Sequence, residues 1–239
     1  MNYGCLECGH FFERHVPWCP HCMCEGTVVL LGARSRSAFD AEPEIVSARD
    51  LARMHWQQAG TSAYPELQVG RGALVVVTGD PGSGKSSFVA RALDGTSGPV
   101  VLLSAEEAPG PALASRLLRA RVKRDDFMVI GRASVDQLVD LCRSHKAAAL
   151  AVDSAQPANL NARDLRHLLT ALPSIEALYA VAQVNAQGHI AGRRTLEHEA
   201  DIVVRCAGLR WELSKSRYEP VGKTGDVMPK TEEKSHVAA

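Results

Sequence analysis

From about residue 69 onward, short apolar stretches alternate with longer amphipathic ones. The apolar stretches are rich in β-branched residues and predict strands at Ala73–Thr78, Val100–Leu103, Phe127–Ile130, Ala148–Val152, Leu178–Gln183 and Ile202–Cys206. The amphipathic stretches predict helices at Lys85–Leu93, Ala112–Val122, Val135–Lys146, Ala162–Leu172 and Thr195–Ala200. Because the strands are apolar on both faces and helices separate them, the pattern predicts an α/β fold with a mainly parallel central sheet.

The chain divides into segments of different character. Ser134 with Gln137, and Asn161 with Asp164, have the spacing of helix-start signals. Ser47 is a candidate N-cap for an earlier helix over 48–59, which Gly60 would end. We therefore predict a small cysteine-rich domain at 1–31, a linker and helix at 32–60, an α/β core at 61–228 and a disordered tail at 229–239.

Composition adds mainly exclusions. The 239 residues carry 27 Lys and Arg against 27 Asp and Glu, so the formal net charge is zero and a globally basic nucleic-acid coat protein is excluded. The longest apolar runs, Ala73–Val77 and Ala147–Val152, are far shorter than a membrane span. The first residues contain no apolar signal core. We therefore predict a cytoplasmic protein with no membrane partner.

Cysteine chemistry is concentrated at the start of the chain. Two Cys-x-x-Cys hooks, separated by residues 9–18, offer four thiolates for one tetrahedral Zn²⁺, and the ligands are Cys5, Cys8, Cys19 and Cys22. A disulfide framework is the alternative, which a reducing compartment disfavours. Nearby donors that compete with this set are His10, His15, His21 and Cys24.

The strongest chemical signal follows the first predicted core strand. The segment from Gly79 to Ser86 fits G-x-x-x-x-G-K-[ST], the phosphate-binding loop, between a strand and a helix. Its glycines allow backbone N–H groups to surround phosphate oxygens. Lys85 is expected to reach the β- and γ-phosphates of ATP, and Ser86 to bind Mg²⁺. The predicted nucleotide ligands are Gly79, Asp80, Pro81, Gly82, Ser83, Gly84, Lys85, Ser86 and Ser87.

Carboxylates and basic residues complete the candidate chemistry. Asp153 ends a predicted strand and is the candidate Mg²⁺-orienting carboxylate, while Glu106 and Glu107 are two candidates for activating water. The loop 185–195 is cationic and suits a phosphate backbone, and its candidate DNA-binding residues are His189, Arg193 and Arg194. An ordinary solvated loop is the alternative. A second basic cluster is interpreted as a solvated or subunit-facing surface, and comprises Arg116, Arg119, Arg121, Lys123 and Arg124.

Several of these motifs resemble the bacterial RadA (Sms) family of DNA-repair ATPases, within the RecA superfamily. The Trp18-Cys19-Pro20-x-Cys22 run is similar to that family's four-cysteine finger, and Asp80-Pro81 to its phosphate loop. Ser104–Glu107 resembles its Ser-Gly-Glu-Glu segment and Val152–Gln156 its Asp-Ser-Ile-Gln strand end. The most specific similarity is between 189–201 and its Ile-Ala-Gly-Pro-Lys-x-Leu-Glu-His-x-Val-Asp segment.

The resemblance implies a RecA-like P-loop core preceded by a zinc ribbon, with ATP hydrolysis stimulated by single-stranded DNA during repair and recombination. It implies Glu106 as catalytic base and Gln183 as γ-phosphate sensor. Leu213–Glu219 resembles the Lys-Asn-Arg-Phe-Gly signature, which implies that Lys215 and Arg217 act on the nucleotide of the adjacent subunit. The implied partners are other copies of the chain, in a ring or filament, and recombinase or replication proteins.

The chain also departs from that family. Ser216 stands for the Asn of the signature, Glu219 for its Gly, and Gln183 for the usual histidine near the sensor. We expect no Lon-protease-like C-terminal domain, since the chain stops soon after the signature. These departures leave a second hypothesis open, an ATP-binding regulatory or adaptor module whose zinc ribbon docks a partner.

Overall fold

The fold is described from a computed structural model, and the described residues are 2–5, 11–12, 28–31, 48, 58–59, 61–184 and 194–228. Two compact units are present, Met1–Met54 and His55–Ala239. The first contains strands β1 (Asn2–Cys5), β2 (Phe11–Phe12) and β3 (Val28–Leu31). They form an antiparallel sheet in the order β2-β1-β3, with Tyr3 opposite both Phe12 and Leu30.

The second unit is built on a larger sheet with helices between its strands. Its strands are β4 (Gln58–Ala59), β5 (Val69–Gly70), β6 (Ala73–Thr78), β7 (Val100–Ser104), β8 (Phe127–Ile130), β9 (Ala149–Asp153), β10 (Ala177–Val181), β11 (Ile202–Ala207), β12 (Arg210–Ser216) and β13 (Thr224–Asp226). Its helices are α1 (Lys85–Asp94), α2 (Pro111–Arg119), α3 (Val135–Ser144), α4 (Ala162–Ala171) and α5 (Arg194–Glu199). The alternation confirms the predicted α/β fold.

The large sheet has the order β13-β12-β11-β6-β10-β9-β7-β8. The strands from β11 to β8 in that order run parallel, and β12 and β13 add antiparallel at the β11 edge. A mainly parallel sheet is therefore confirmed. Its central strands β6, β9 and β10 are buried on both faces, as their continuous apolar runs require. The carboxyl ends of β6, β7, β9 and β10 meet at one edge, where α/β proteins bind ligands.

Two apolar layers cover the faces of this sheet. One contains Val75, Val77 and helix α1, and Tyr64 and Phe88 stack there with ring centroids 4.3 Å apart. The indole of Trp211 meets both rings edge-on, at 6.0 and 6.2 Å. The other layer contains the alternate strand residues, such as Val76, packed with α3 and α4. Trp211 and Tyr179 are among the largest side chains buried in this core.

Local signals are accurate at two helix starts and wrong at one helix end. Ser134 and Gln137 form a reciprocal capping box on α3, and Asn161 and Asp164 form another on α4. The helix predicted over 48–59 is wrong at its end, because Gln58–Ala59 is a strand that pairs with Val69–Gly70. Ala59 is buried there in the apolar core, so its tertiary pairing overrides its helix propensity.

Candidate active site

The turn between β6 and α1 contains two glycines at positions where a side chain would be strained or would clash. Gly79 has φ 143°, and a Cβ atom there would lie 2.2 Å from the carbonyl oxygen of Cys206. Gly84, with φ 103°, is the N-cap of α1, whose free backbone N–H groups face the turn. The left-handed conformation at both positions favours glycine. This backbone makes an anion-binding concavity at the start of a helix.

Lys85 lies folded back over this turn. Its ammonium group donates hydrogen bonds to the carbonyl oxygens of Gly79 and Asp80, both at 2.8 Å. The Ser83 hydroxyl is buried in the turn and has no hydrogen-bond partner. A cation held by two neutral carbonyls inside an anion-binding turn is positioned to exchange them for phosphate oxygens. The predicted nucleotide ligands Gly79, Asp80, Pro81, Gly82, Ser83, Gly84, Lys85, Ser86 and Ser87 lie along this turn and the first turn of α1.

Asp153 ends β9 beside the glycine turn and is 4% exposed. Burial raises the pKa of its carboxyl group, while the Ser86 hydroxyl and Arg116 oppose that shift. Oδ2 accepts a hydrogen bond from Arg116 at 3.0 Å, and Oδ1 is buried without a partner. A buried unpartnered carboxylate oxygen near a serine hydroxyl offers the oxygen ligands that Mg²⁺ prefers. The residues present therefore fit a magnesium ion.

Glu106 joins the ends of three neighbouring strands. It follows β7, and its Oε1 accepts hydrogen bonds from Ser154 Oγ at 2.5 Å and from Gln183 Nε2 at 2.6 Å. The backbone N–H of Ala105 donates to the Asp153 carbonyl oxygen at 2.7 Å, which ties the loop after β7 to the end of β9. The predicted residues Glu106, Asp153 and Gln183 thus lie together at the carboxyl edge of the sheet.

Lys215 and Arg217 lie elsewhere in the chain. Lys215 in β12 lies opposite Val203 in β11, and Val203 lies opposite Val76 in β6. Lys215 is therefore beside the middle of β6 and not beside the glycine turn that follows this strand. Its ammonium group donates to the carbonyl oxygens of Glu197 and His198, both at 2.8 Å. Burial, chiefly, and Arg217 lower the pKa of Lys215. The two cations are not brought to the glycine turn of their own chain.

The Arg217 guanidinium has a partner of its own. Its Nε lies 3.3 Å from Oδ1 of Asp201, a carboxylate that also binds Arg166 and the backbone N–H of Leu74. The two departures from the family signature are accommodated close by. Ser216 Oγ accepts hydrogen bonds from the next turn, and Glu219 accepts one from the Gln68 N–H at 2.9 Å.

Other predicted site residues lie outside the described part of the chain. These are the zinc ligands Cys8, Cys19 and Cys22 and the DNA-binding candidates His189 and Arg193. Of Cys5 and Arg194 only the backbone is described, at the end of β1 and the start of α5. Among the residues whose side chains are described, no group of three or more His, Cys, Asp or Glu side chains is placed to hold one metal ion.

Sequence reasoning misses one residue of the site and misreads another. Ser154, next to Asp153, is a buried hydrogen-bond donor to Glu106. The interpretation of Arg116 as a solvated side chain is wrong, because its guanidinium binds Asp153 and Glu107 from α2. Its position three residues after the buried Leu113 is the signal for an inward-facing side chain. Arg124 likewise folds inward, onto Asp126 and the Leu93 carbonyl.

A cavity of about 420 Å³ adjoins the glycine turn. Gly79 and Asp80 line one side, and Arg205 and Arg210 line the β11–β12 side. Its size is in the range of small-ligand sites.

Within the described segments, no helix has the length and apolarity that crossing a membrane requires.

Comparison with known proteins gives a consistent set of relatives. No family model matches the chain. The DNA repair protein RadA of Aquifex aeolicus is 23% identical over 94% of this chain and 56% of its own length. The RadA proteins of Pseudomonas aeruginosa and Mycobacterium tuberculosis are 25% and 27% identical, over 86% and 87% of this chain. The chain spans about half the length of these curated relatives.

One solved structure can be compared with the fold of this chain. A structure described as an ATPase domain superposes with a TM-score of 0.50, over 64% of this chain and 80% of that domain, at 16% identity. This likeness shows that the α/β unit shares the fold of that domain. In sequence, the chain is similar to proteins named DNA repair protein RadA, at 23–27% identity over about half of their length.

Proposed function

We propose that this chain is a DNA-dependent ATPase of DNA repair and homologous recombination. One observation carries the proposal: Glu106, Asp153 and Gln183 converge beside a complete phosphate loop at the carboxyl edge of the sheet. The relatives named DNA repair protein RadA supply the process in which such an activity would serve. The proposed substrate is ATP with Mg²⁺, and the proposed activator is single-stranded DNA.

The residues have separate roles in the proposed reaction. The backbone N–H groups of the turn and Lys85 bind the β- and γ-phosphates, and Ser86 and Asp153 hold Mg²⁺. When bound, that ion neutralises charge on the β- and γ-oxygens. Glu106 accepts the proton of the attacking water, and Gln183 orients Glu106 and the γ-phosphate.

The proposed DNA contact is the loop 185–195, through His189, Arg193 and Arg194. Cationic side chains near a strand of DNA bind its phosphates and release counterions, so the affinity falls as salt rises. A neutral chain is compatible with this role because an oligomer needs only one basic loop per subunit on the DNA. A salt titration of single-stranded DNA binding, with the double variant Arg193→Ala and Arg194→Ala, tests the contact. Unchanged affinity and salt slope in the variant would refute it.

The proposed active form is a homo-oligomer, a ring or a filament, in the cytoplasm. Lys215 and Arg217 lie away from the glycine turn of their own chain, which favours a role at the nucleotide of a neighbouring subunit. Recombinase or replication proteins are the proposed further partners. Light scattering with ATP and single-stranded DNA measures the assembly, and a monomer under all conditions would contradict it.

The proposed zinc site uses Cys5, Cys8, Cys19 and Cys22. The support is the paired spacing of the two hooks in the sequence. We expect one equivalent of zinc per chain by elemental analysis, and loss of that zinc in the double variant Cys19→Ser and Cys22→Ser. A zinc-free wild-type protein with free thiols would contradict the assignment.

Steady-state ATP turnover, measured with and without single-stranded DNA, tests the proposed function. We expect turnover that DNA stimulates and that Lys85→Ala abolishes, because the substitution removes the cation that binds the phosphates. Tight ATP binding with negligible turnover under every DNA condition would overturn the ATPase and favour an adaptor module.

A further inference from the structure

One cation at the candidate site has no role in the reaction outlined above. The guanidinium of Arg116 lies between two carboxylates: Nη1 is 3.0 Å from Oδ2 of Asp153, and Nη2 is in close contact with Oε2 of Glu107. The Arg116 side chain is 21% exposed and that of Asp153 is 5% exposed. A guanidinium that binds two carboxylates through separate nitrogens fixes the positions of both.

The two oxygens of Asp153 are in different environments as a result. Oδ2 is occupied by Arg116, whereas Oδ1 is buried and unpartnered. The hydroxyl of Ser86, the other predicted magnesium ligand, lies close enough to the same carboxyl group to lower its pKa. Arg116 therefore leaves one defined oxygen of Asp153 available and prevents the carboxylate from rotating that oxygen away.

Glu107 connects this pair to the loop that carries Glu106. Its backbone carbonyl oxygen accepts a hydrogen bond from Ser104 Oγ at 2.6 Å, at the end of β7. The guanidinium thus links α2, the loop after β7 and the end of β9. Arg119, one turn further along α2, has a different environment, because it is exposed and donates to Ser115 Oγ of its own helix.

We propose that Arg116 is the positioning residue for the magnesium ligand Asp153, holding Oδ2 so that Oδ1 faces the metal bound with the nucleotide. The proposal rests on the ATP site proposed above and adds a residue that orients one of its ligands. Groups that hydrogen-bond to a metal ligand from behind typically change metal affinity by about 10–100-fold when they are removed.

The test measures how strongly Mg²⁺ tightens nucleotide binding. The Kd of a fluorescent, non-hydrolysable ATP analogue is determined in excess Mg²⁺ and in EDTA, and their ratio reports the metal contribution without turnover. We expect Arg116→Gln to reduce this ratio by about tenfold or more, with the EDTA value unchanged. Arg116→Lys keeps the positive charge but loses the planar guanidinium that binds two carboxylates at once. We therefore expect a reduction of similar size in the ratio of the two Kd values.

The controls separate the possible outcomes. Arg119→Gln changes a cation on the same helix, and its ratio is expected to equal that of the wild type. A ratio in Arg116→Gln and Arg116→Lys that is unchanged or larger would overturn the proposal, as would an equal loss of binding in EDTA and in Mg²⁺. A wild-type protein that binds no nucleotide would instead refute the proposed ATP site.

Discussion

Gln183 donates a hydrogen bond from Nε2 to Oε1 of Glu106 over 2.6 Å. The two residues end or follow different strands, β10 and β7, and the pair spans the end of β9 that lies between them. The same Oε1 also accepts the Ser154 hydroxyl. Two donors on one oxygen orient the carboxylate, and its other oxygen is the one that would accept a proton from water in the proposed reaction.

The first prediction concerns that pair. Gln183→Ala removes a donor that orients the proposed catalytic carboxylate, so we expect ATP turnover to fall by on the order of 10²-fold, with little change in KM. Steady-state kinetics measures both constants. Gln58→Ala, at an exposed position of β4, is the control and should leave them unchanged. A Gln183→Ala enzyme with wild-type turnover would show that the contact has no catalytic role.

The second prediction concerns Asp201, a carboxylate that is 6% exposed. It accepts a hydrogen bond from the Leu74 N–H and binds Arg166 and Arg217, so its removal leaves the buried Leu74 N–H without this acceptor. We expect Asp201→Ala to lower the free energy of unfolding by about 2 kcal/mol, as measured by urea denaturation.

Glu199→Ala is the matched control for Asp201. Its carboxylate is 43% exposed and 3.7 Å from the same Arg166, so we expect a loss below about 1 kcal/mol. Equal losses of unfolding free energy in the two variants would contradict the proposal that the buried Asp201 stabilises the fold more than the exposed Glu199 does.

The third prediction concerns Arg217, which is proposed to act across a subunit interface. Arg217→Ala is expected to lower turnover by on the order of 10³-fold, as for other arginines that act on a neighbouring nucleotide. Lys85→Ala inactivates the chain's own site. Mixed oligomers of the two variants should regain turnover, because some sites then combine an intact Lys85 with a neighbour's Arg217. No recovery on mixing would place Arg217 outside the neighbouring site.

The fourth prediction is a pH dependence of stability. Burial raises the pKa of the Cys142 thiol from 9.0 to about 11. The unfolded chain therefore loses this proton at lower pH than the folded chain, and stability falls as pH rises from about 9 through 11. The buried Cys206 shifts in the same direction.

Urea denaturation at pH 8 and pH 10.5, with reductant present, tests this dependence. We expect Cys142→Ala to lose less stability between the two pH values than the wild type loses. Ser144→Ala, an exposed residue of the same helix, should keep the wild-type difference. An identical difference in Cys142→Ala would mean that the thiol does not contribute.

Local pattern is sufficient to predict most of the α/β unit. Strands such as Ala73–Thr78 are buried on both faces, so a continuous apolar run predicts them without knowledge of their neighbours. Capping at Ser134 and Asn161 depends on residues three positions away, and both helix starts are predictable for that reason. The phosphate loop is equally local, because one short segment carries both its glycines and its lysine.

Non-local features are harder to predict. The antiparallel hairpin β12–β13 is absent from the sequence prediction, although the alternation of exposed Arg210 and Glu212 with buried Trp211 and Leu213 carries a strand pattern. Strand β4 depends on pairing with β5 rather than on its own residues. The contact between Arg116 and Asp153 joins residues that are distant in the chain. It can therefore be recognised only once the fold is known.

The most direct test of an ATPase centred on Glu106 is single-turnover ATP hydrolysis with single-stranded DNA, compared between wild type, Glu106→Gln and Glu107→Gln. If Glu106 is the base, Glu106→Gln should bind ATP as the wild type does and hydrolyse it on the order of 10²–10⁴-fold more slowly. Glu107→Gln, whose carboxylate binds Arg116, should retain most of the rate. Wild-type hydrolysis in Glu106→Gln would contradict the account.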